Sequence, residues 1–416
     1  MPFHFPPINF LQYLLKRESE QFFVSIAIRS LALGMILIFE PVYLYLYFNY
    51  SLPLTLLFFG AVHMLFGVLA VYGGKAMAKF GLKRVMLFSH FFFFGYYLCL
   101  FFLYQSFLLV PLAIILKGFG MILFWPAFHV DFCRFSERNH QGREVGKMNV
   151  AILIPTIISP MIGGWILAGL GYPALFVAVL VVLFASSIPM FLSKEVHVIY
   201  SDSYRMAWRR ILRKANKRIN WGIIANSIEM GVNSYCWPLF MAILAIGYGT
   251  MGGITTFALG MAVLFTLYIG RMSDKIINRV KLLNLGSFLT SIAWILKYFV
   301  TTPFTAFLAQ TLYRICRTTA GVPHQTLLYE RASLKGAETD EFIIYRETIF
   351  NVSRGVFFIF LALLFLVIPK INIAFILAAV VSLGMTFLGV PPKAIRNLKW
   401  IREMKNHGLS IISKNK

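Results

Sequence analysis

Twelve apolar stretches of membrane-spanning length divide this chain, and the connections between them alternate in charge. Of the 39 lysines and arginines, 32 lie in, or at the edges of, one alternate set of connections. Lys370 alone lies in the other set, and six sit inside apolar stretches. With 59% hydrophobic residues, 13% charged ones and a mean hydropathy of +0.75, no water-soluble fold hides this much apolar surface. Lipid offers the backbone no hydrogen-bond partners, so runs of this length predict an all-α membrane protein. Basic residues are retained on the cytoplasmic side during insertion. The basic connections, and with an even number of spans both termini, are therefore expected in the cytoplasm of a cell whose plasma (inner) membrane holds the chain.

The expected spans are roughly 22–48, 54–77, 85–103, 107–130, 148–169, 172–192, 220–245, 251–270, 282–301, 303–328, 342–367 and 371–391. They predict an N-terminal six-helix bundle over 1–192, a basic linker over 193–219, a C-terminal six-helix bundle over 220–392 and a basic tail over 393–416. In the linker Tyr204, Trp208, Ile211, Leu212, Ala215 and Ile219 recur at helical spacing among arginines and lysines. That pattern predicts an amphipathic helix on the inner membrane surface. The net charge of +23 is explained by anionic lipid headgroups facing such segments, so no nucleic-acid partner is expected. Cys99, Cys133, Cys236 and Cys316 are scattered without metal-ligand spacing, and no metal or cofactor is expected.

The two halves repeat. Ser30, Gly34 and Pro41 share an offset of 197 with Ser227, Gly231 and Pro238. The same offset carries Lys117 onto Arg314, Pro126 onto Pro323 and Arg134 onto Arg331. Two six-span halves related by a parallel repeat place a solute site between them near the midplane.

Local motifs follow the same plan. After the second span come Gly74, Lys79, Gly81, Lys83 and Arg84, with Ala78 where an acid would complete the pattern G-x-x-x-D-[RK]-x-G-[RK]-[RK]. A second copy after the eighth span has Gly270, Asp274, Lys275 and Arg279. Asp131, Ser136, Glu137, Arg138, Gly142, Arg143 and Gly146 follow the fourth span, and Ser159-Pro160-Met161-Ile162-Gly163-Gly164 lies in the fifth. With these motifs the chain resembles the major facilitator superfamily over essentially its whole length. The resemblance implies two pseudo-symmetric six-helix bundles, alternating access to a central site, and a cytoplasmic gate held shut by the loop motif. The fourth-span arginine of the family's drug/proton antiporters would fall at Ile114, which speaks against that activity.

The intramembrane charges are the candidate site. Arg29, Lys117, Arg314, Arg317 and Arg354 lie in spans that, by resemblance, line the central cavity, with Trp237 and Asn233 beside them. Each charge near the bilayer centre costs about 2.5–3.5 kcal/mol on insertion scales and requires a partner or water. The plain alternative for each is a buried structural bridge. Arg29 and Glu40 are too far apart to pair directly, at about 16 Å along a helix. Lys297, near the outer end of its span, is expected to snorkel. Lys117 and Arg314 are expected to face each other. Glu40, Glu229 and His63 are the proton-coupling candidates. The expected function is secondary active transport of a small anionic organic solute by a monomer, coupled to protons. The alternatives are an exporter of lipophilic drugs and a non-transporting sensor or scaffold. No phosphate-binding loop, HExxH or GxSxG is present, so an enzyme is not expected.

Overall fold

A computed structural model describes residues 18–138, 142–192, 195–273, 276–333 and 339–389. The expected basic tail, and Asp274 and Lys275 of the second loop motif, lie outside them. Among the described residues, nine stretches are long and apolar enough to cross a membrane. One of these, Leu153–Phe191, holds two passes. Gly171, at φ 79°, leaves the helical backbone there. The arm before Gly171 runs with the first span, Ser159 meeting Gly34 and Gly164 meeting Phe39. The arm after it runs against the first span: Tyr172 donates to the Phe39 carbonyl at one end, Ser25 to the Ser186 carbonyl at the other. Two further helical passes, 217–243 and Pro303–Ser333, carry too many polar groups to read as plain apolar spans. The passes among the described residues thus number twelve, in two six-helix halves.

The first and seventh spans are interrupted at equivalent places. The first consists of Glu18–Ile36 and Glu40–Tyr47, and the seventh of Lys217–Gly231, a π turn Val232–Cys236 and Trp237–Ile243. Pro41 and Pro238 lack the amide hydrogen that a helix would direct to the carbonyls of Leu37 and Ser234. The irregular turns include those carbonyls, so the repeat offset maps one interruption onto the other.

The halves meet at two levels. From mid-depth to the linker side the second span packs on the eleventh: a Cβ on Gly67 would lie 2.6 Å from the Val352 nitrogen, and one on Gly74 3.1 Å from the Ile344 side chain. Near the opposite face the fifth span packs on the eighth, and a Cβ on Gly252 would lie 2.4 Å from the Pro160 carbonyl oxygen. Met161 there donates its amide hydrogen to Thr256 Oγ1 at 3.1 Å. Small residues allow this approach of backbones.

The linker differs from the expected single amphipathic helix. Its helix is Tyr204–Leu212, and Lys217 already begins the seventh span. The cause is local. Asn216 and Asn220 donate side-chain amides to the carbonyls of Arg210 and Ile211, both at 2.8 Å, and Arg213 is extended. Before that helix, residues 195–203 form no regular element.

Candidate substrate site and gate

In the N-terminal half, Lys117 on the fourth span donates to Glu40, one residue before the proline of the first. The Lys117 ammonium also lies 5.0 Å from the ring centroids of Phe59 and Tyr96. Arg29, 2% exposed, is held between rings, its guanidinium carbon 3.6 Å from the Phe124 centroid and 4.6 Å from that of Phe93. Both of its terminal nitrogens lack a hydrogen-bond partner. Glu40 therefore takes Lys117 rather than Arg29, in keeping with their separation along the helix.

In the C-terminal half one carboxylate gathers several donors. Glu229 accepts from Trp294 Nε1 at 3.0 Å, Tyr313 Oη at 2.6 Å and Arg317 Nε at 2.7 Å. Arg317 also donates to Asn226. Lys297 does not snorkel, contrary to the sequence expectation. It is fully buried, donates to Asn233 Oδ1 at 3.1 Å, and its ammonium lies 4.1, 4.3 and 3.7 Å from the ring centroids of Trp237, Trp294 and Tyr313. Electron-rich ring faces compensate for lost hydration more closely than a distant interface does. Arg314 lies within electrostatic reach of Glu229, Arg317 and Lys297, and its Nε has no partner. Lys117 and Arg314, expected to face each other, thus differ in partner: Lys117 is ion-paired with Glu40, while Arg314 has no ion-pair partner among the described residues.

His63 sits between the halves. Asn351 donates its amide to the Glu347 carbonyl at 2.9 Å, which turns its oxygen toward His63 Nδ1, also at 2.9 Å. His63 Nδ1 therefore carries hydrogen, and Nε2 lies 3.0 Å from Tyr235 Oη of the seventh span. The polar seam continues toward the linker side through Glu347, 3.6 Å from His129 Nε2 and 3.4 Å from Arg346 Nη1, and on to Tyr329, 3.2 Å from His129 Nδ1. Arg354 joins the eleventh span to the seventh by donating from Nε to the Ser227 carbonyl at 3.1 Å, while one terminal nitrogen is unpartnered. Asn351, Glu347, His129, Trp294 and Tyr313 belong to this arrangement and were not among the site residues read from sequence. Only the i,i+4 spacing of Glu347 and Asn351 hints at them.

The first loop motif is built around a turn at Gly81, whose φ of 90° favours glycine. Lys83 is buried and pairs with Asp131 at 2.7 Å within the same half, whereas Lys79 and Arg84 are exposed. Gly74 packs against Tyr200 of the linker and Ile344 of the eleventh span. Burial, with the carboxylates of Asp202 and Glu341, pushes the Tyr200 phenol above its ordinary range. Gly270 and Arg279 of the second copy are described, but Asp274 and Lys275 between them are not.

A twelve-pass helical membrane protein in two halves, with buried charge inside each half and a polar seam between them, is a solute carrier by class. Residues 22–257 match the Major Facilitator Superfamily, and the chain belongs to it: it is an integral membrane transport protein, not an enzyme. Among solved structures, a mutant of the nucleoside transporter NupG superimposes with a TM-score of 0.64 at 12% identity, over 90% of this chain and 99% of that one. The human organic anion transporter MFSD10 (TETRAN) gives 0.63 at 13% identity, again over 90% and 99%. No curated protein matches the sequence.

Proposed function

We propose that this chain carries a small anionic organic solute across the membrane by alternating access, coupled to protons, as a monomer with its linker and termini in the cytoplasm. One observation carries the reading. Arg29, Lys297, Arg314 and Arg354 are intramembrane cations with no ion-pair partner among the described residues. An uncompensated cation in lipid is costly, and a solute carboxylate or phosphate at Arg314 and Arg354 relieves that cost while giving the planar guanidinium its preferred ligand. The same fold serves an organic anion transporter in MFSD10. Arg314→Gln and Arg354→Gln are each expected to abolish organic-anion uptake into proteoliposomes while the protein stays folded. Full uptake in both variants overturns the reading.

For coupling, Glu40 and Glu229 are held in ion pairs inside their own halves, whereas His63 bridges the halves. Separation of the second and eleventh spans removes Asn351 from His63 and admits water, the change of surroundings that moves a proton. His63→Asn is therefore expected to leave downhill exchange intact and to eliminate accumulation driven by an imposed pH gradient. The basic linker helix, with exposed Arg205 and Arg209, faces anionic headgroups in this reading.

A further inference from the structure

The loop motif lacks its acid, since Ala78 stands where the pattern has a carboxylate, yet a carboxylate is bound at the same turn. Glu195, from the linker, accepts from the backbone nitrogens of Lys83 at 2.8 Å and Arg84 at 3.0 Å. These are unsatisfied donors in the first turn of helix Leu82–Phe101, where the helix dipole favours negative charge. Glu195 fills the space beside Gly81 so closely that a Cβ there would lie 2.3 Å from the carboxylate. The Leu82 amide donates to the Val196 carbonyl at 2.9 Å, so the linker backbone is pinned as well.

Six residues further on, the same segment is pinned to the other half. Glu341, in the first turn of the eleventh span, accepts from Ser201 N at 3.1 Å and Ser201 Oγ at 2.9 Å. Between the anchors, Val198 is buried and Tyr200 packs against Gly74. Asp202 then pairs with Arg210 at 2.9 Å, fixing the turn into the linker helix.

We propose that linker residues 195–201 form a strap that locks the linker-side gate, with Glu195 supplying the carboxylate that the loop motif has lost. Six residues reach at most about 20 Å. Separating the second span from the eleventh on this side therefore releases the Glu195 anchor or the Ser201–Glu341 anchor. The gate is held through the linker, in addition to the packing of Gly74 on Ile344 of the opposite half. The inference rests on the two-half fold and not on the solute.

The test reads gate geometry without any solute. Spin labels are placed at Lys79 and Lys281, exposed on the linker side of opposite halves, after the native cysteines are changed to alanine. Pulsed EPR then gives the distance distribution of the full chain in nanodiscs. Glu195→Ala is expected to raise the long-to-short population ratio about tenfold or more, the effect of losing charge-assisted hydrogen bonds. Ser201→Ala with Glu341→Gln tests the other anchor, and remains available if Glu195→Ala does not fold. Distributions that superimpose on the parent's in every variant that folds overturn the strap. Such a result leaves the anionic-solute reading intact, and failed anion uptake leaves the strap intact.

Discussion

The two halves meet the same problem, charge in lipid, in different ways. The N-terminal half uses one pair, Lys117 with Glu40, and leaves Arg29 against two phenyl rings. The C-terminal half gathers Trp294, Tyr313 and Arg317 around Glu229 and cages Lys297 on the faces of the same aromatic residues. Lys117 and Arg314 are equivalent in the repeat, yet one is ion-paired and the other, among the described residues, is not. A repeat thus preserves position while partners diverge. On the reading proposed above, the unneutralised member marks the half in which a solute charge would have more to do.

The largest expected effect tests the shared carboxylate. Glu229→Leu removes the acceptor for three donors and leaves Arg317 buried without its ion, a loss of about 3–5 kcal/mol. It should appear as a collapse of thermal stability in detergent. Lys117→Met leaves Glu40 buried and unpaired and should cost nearly as much, about 3 kcal/mol. Here the halves should part. Adding Glu40→Leu to Lys117→Met is expected to recover most of the loss, because the two charges leave together. Adding Arg317→Met to Glu229→Leu should not, since the Trp294 and Tyr313 donors stay orphaned at about 1–3 kcal/mol each. Equal recovery in both halves would erase the distinction. Smaller still, Lys297→Met should move stability by no more than about 1 kcal/mol, loss of cation–π attraction offsetting relief of desolvation. A large destabilisation would show Lys297 to be structural to the Glu229 cluster, and would withdraw it from the uncompensated cations.

The fold was legible because each of its signals is local or periodic: apolar length, alternation of basic connections, and the repeat through Pro41 and Pro238. One error and two silences share one cause. Lys297 was expected to snorkel because its distance from a helix end is visible in sequence, while rings supplied by the seventh and tenth spans are not. The partner of Glu40 lies 77 residues away and that of Arg317 lies 88 away, so nothing in local spacing chooses among the cations. Glu195 is one acid in a basic linker, and only the turn at Gly81 shows what it holds. Short, patterned information survives in sequence. The choice of partner among similar charges is a tertiary decision.

The paired interruptions in the first and seventh spans bear on how such a protein keeps its membrane sealed. A straight rod tilting about its centre would move both mouths at once, and any overlap would short-circuit the ion gradient. A rod jointed nearer the face opposite the linker, with a long arm and a short one, lets its two arms tilt at different times. With both halves jointed at the same level, one mouth can stay shut while the other relaxes, so the barrier to ions is never wholly dismantled.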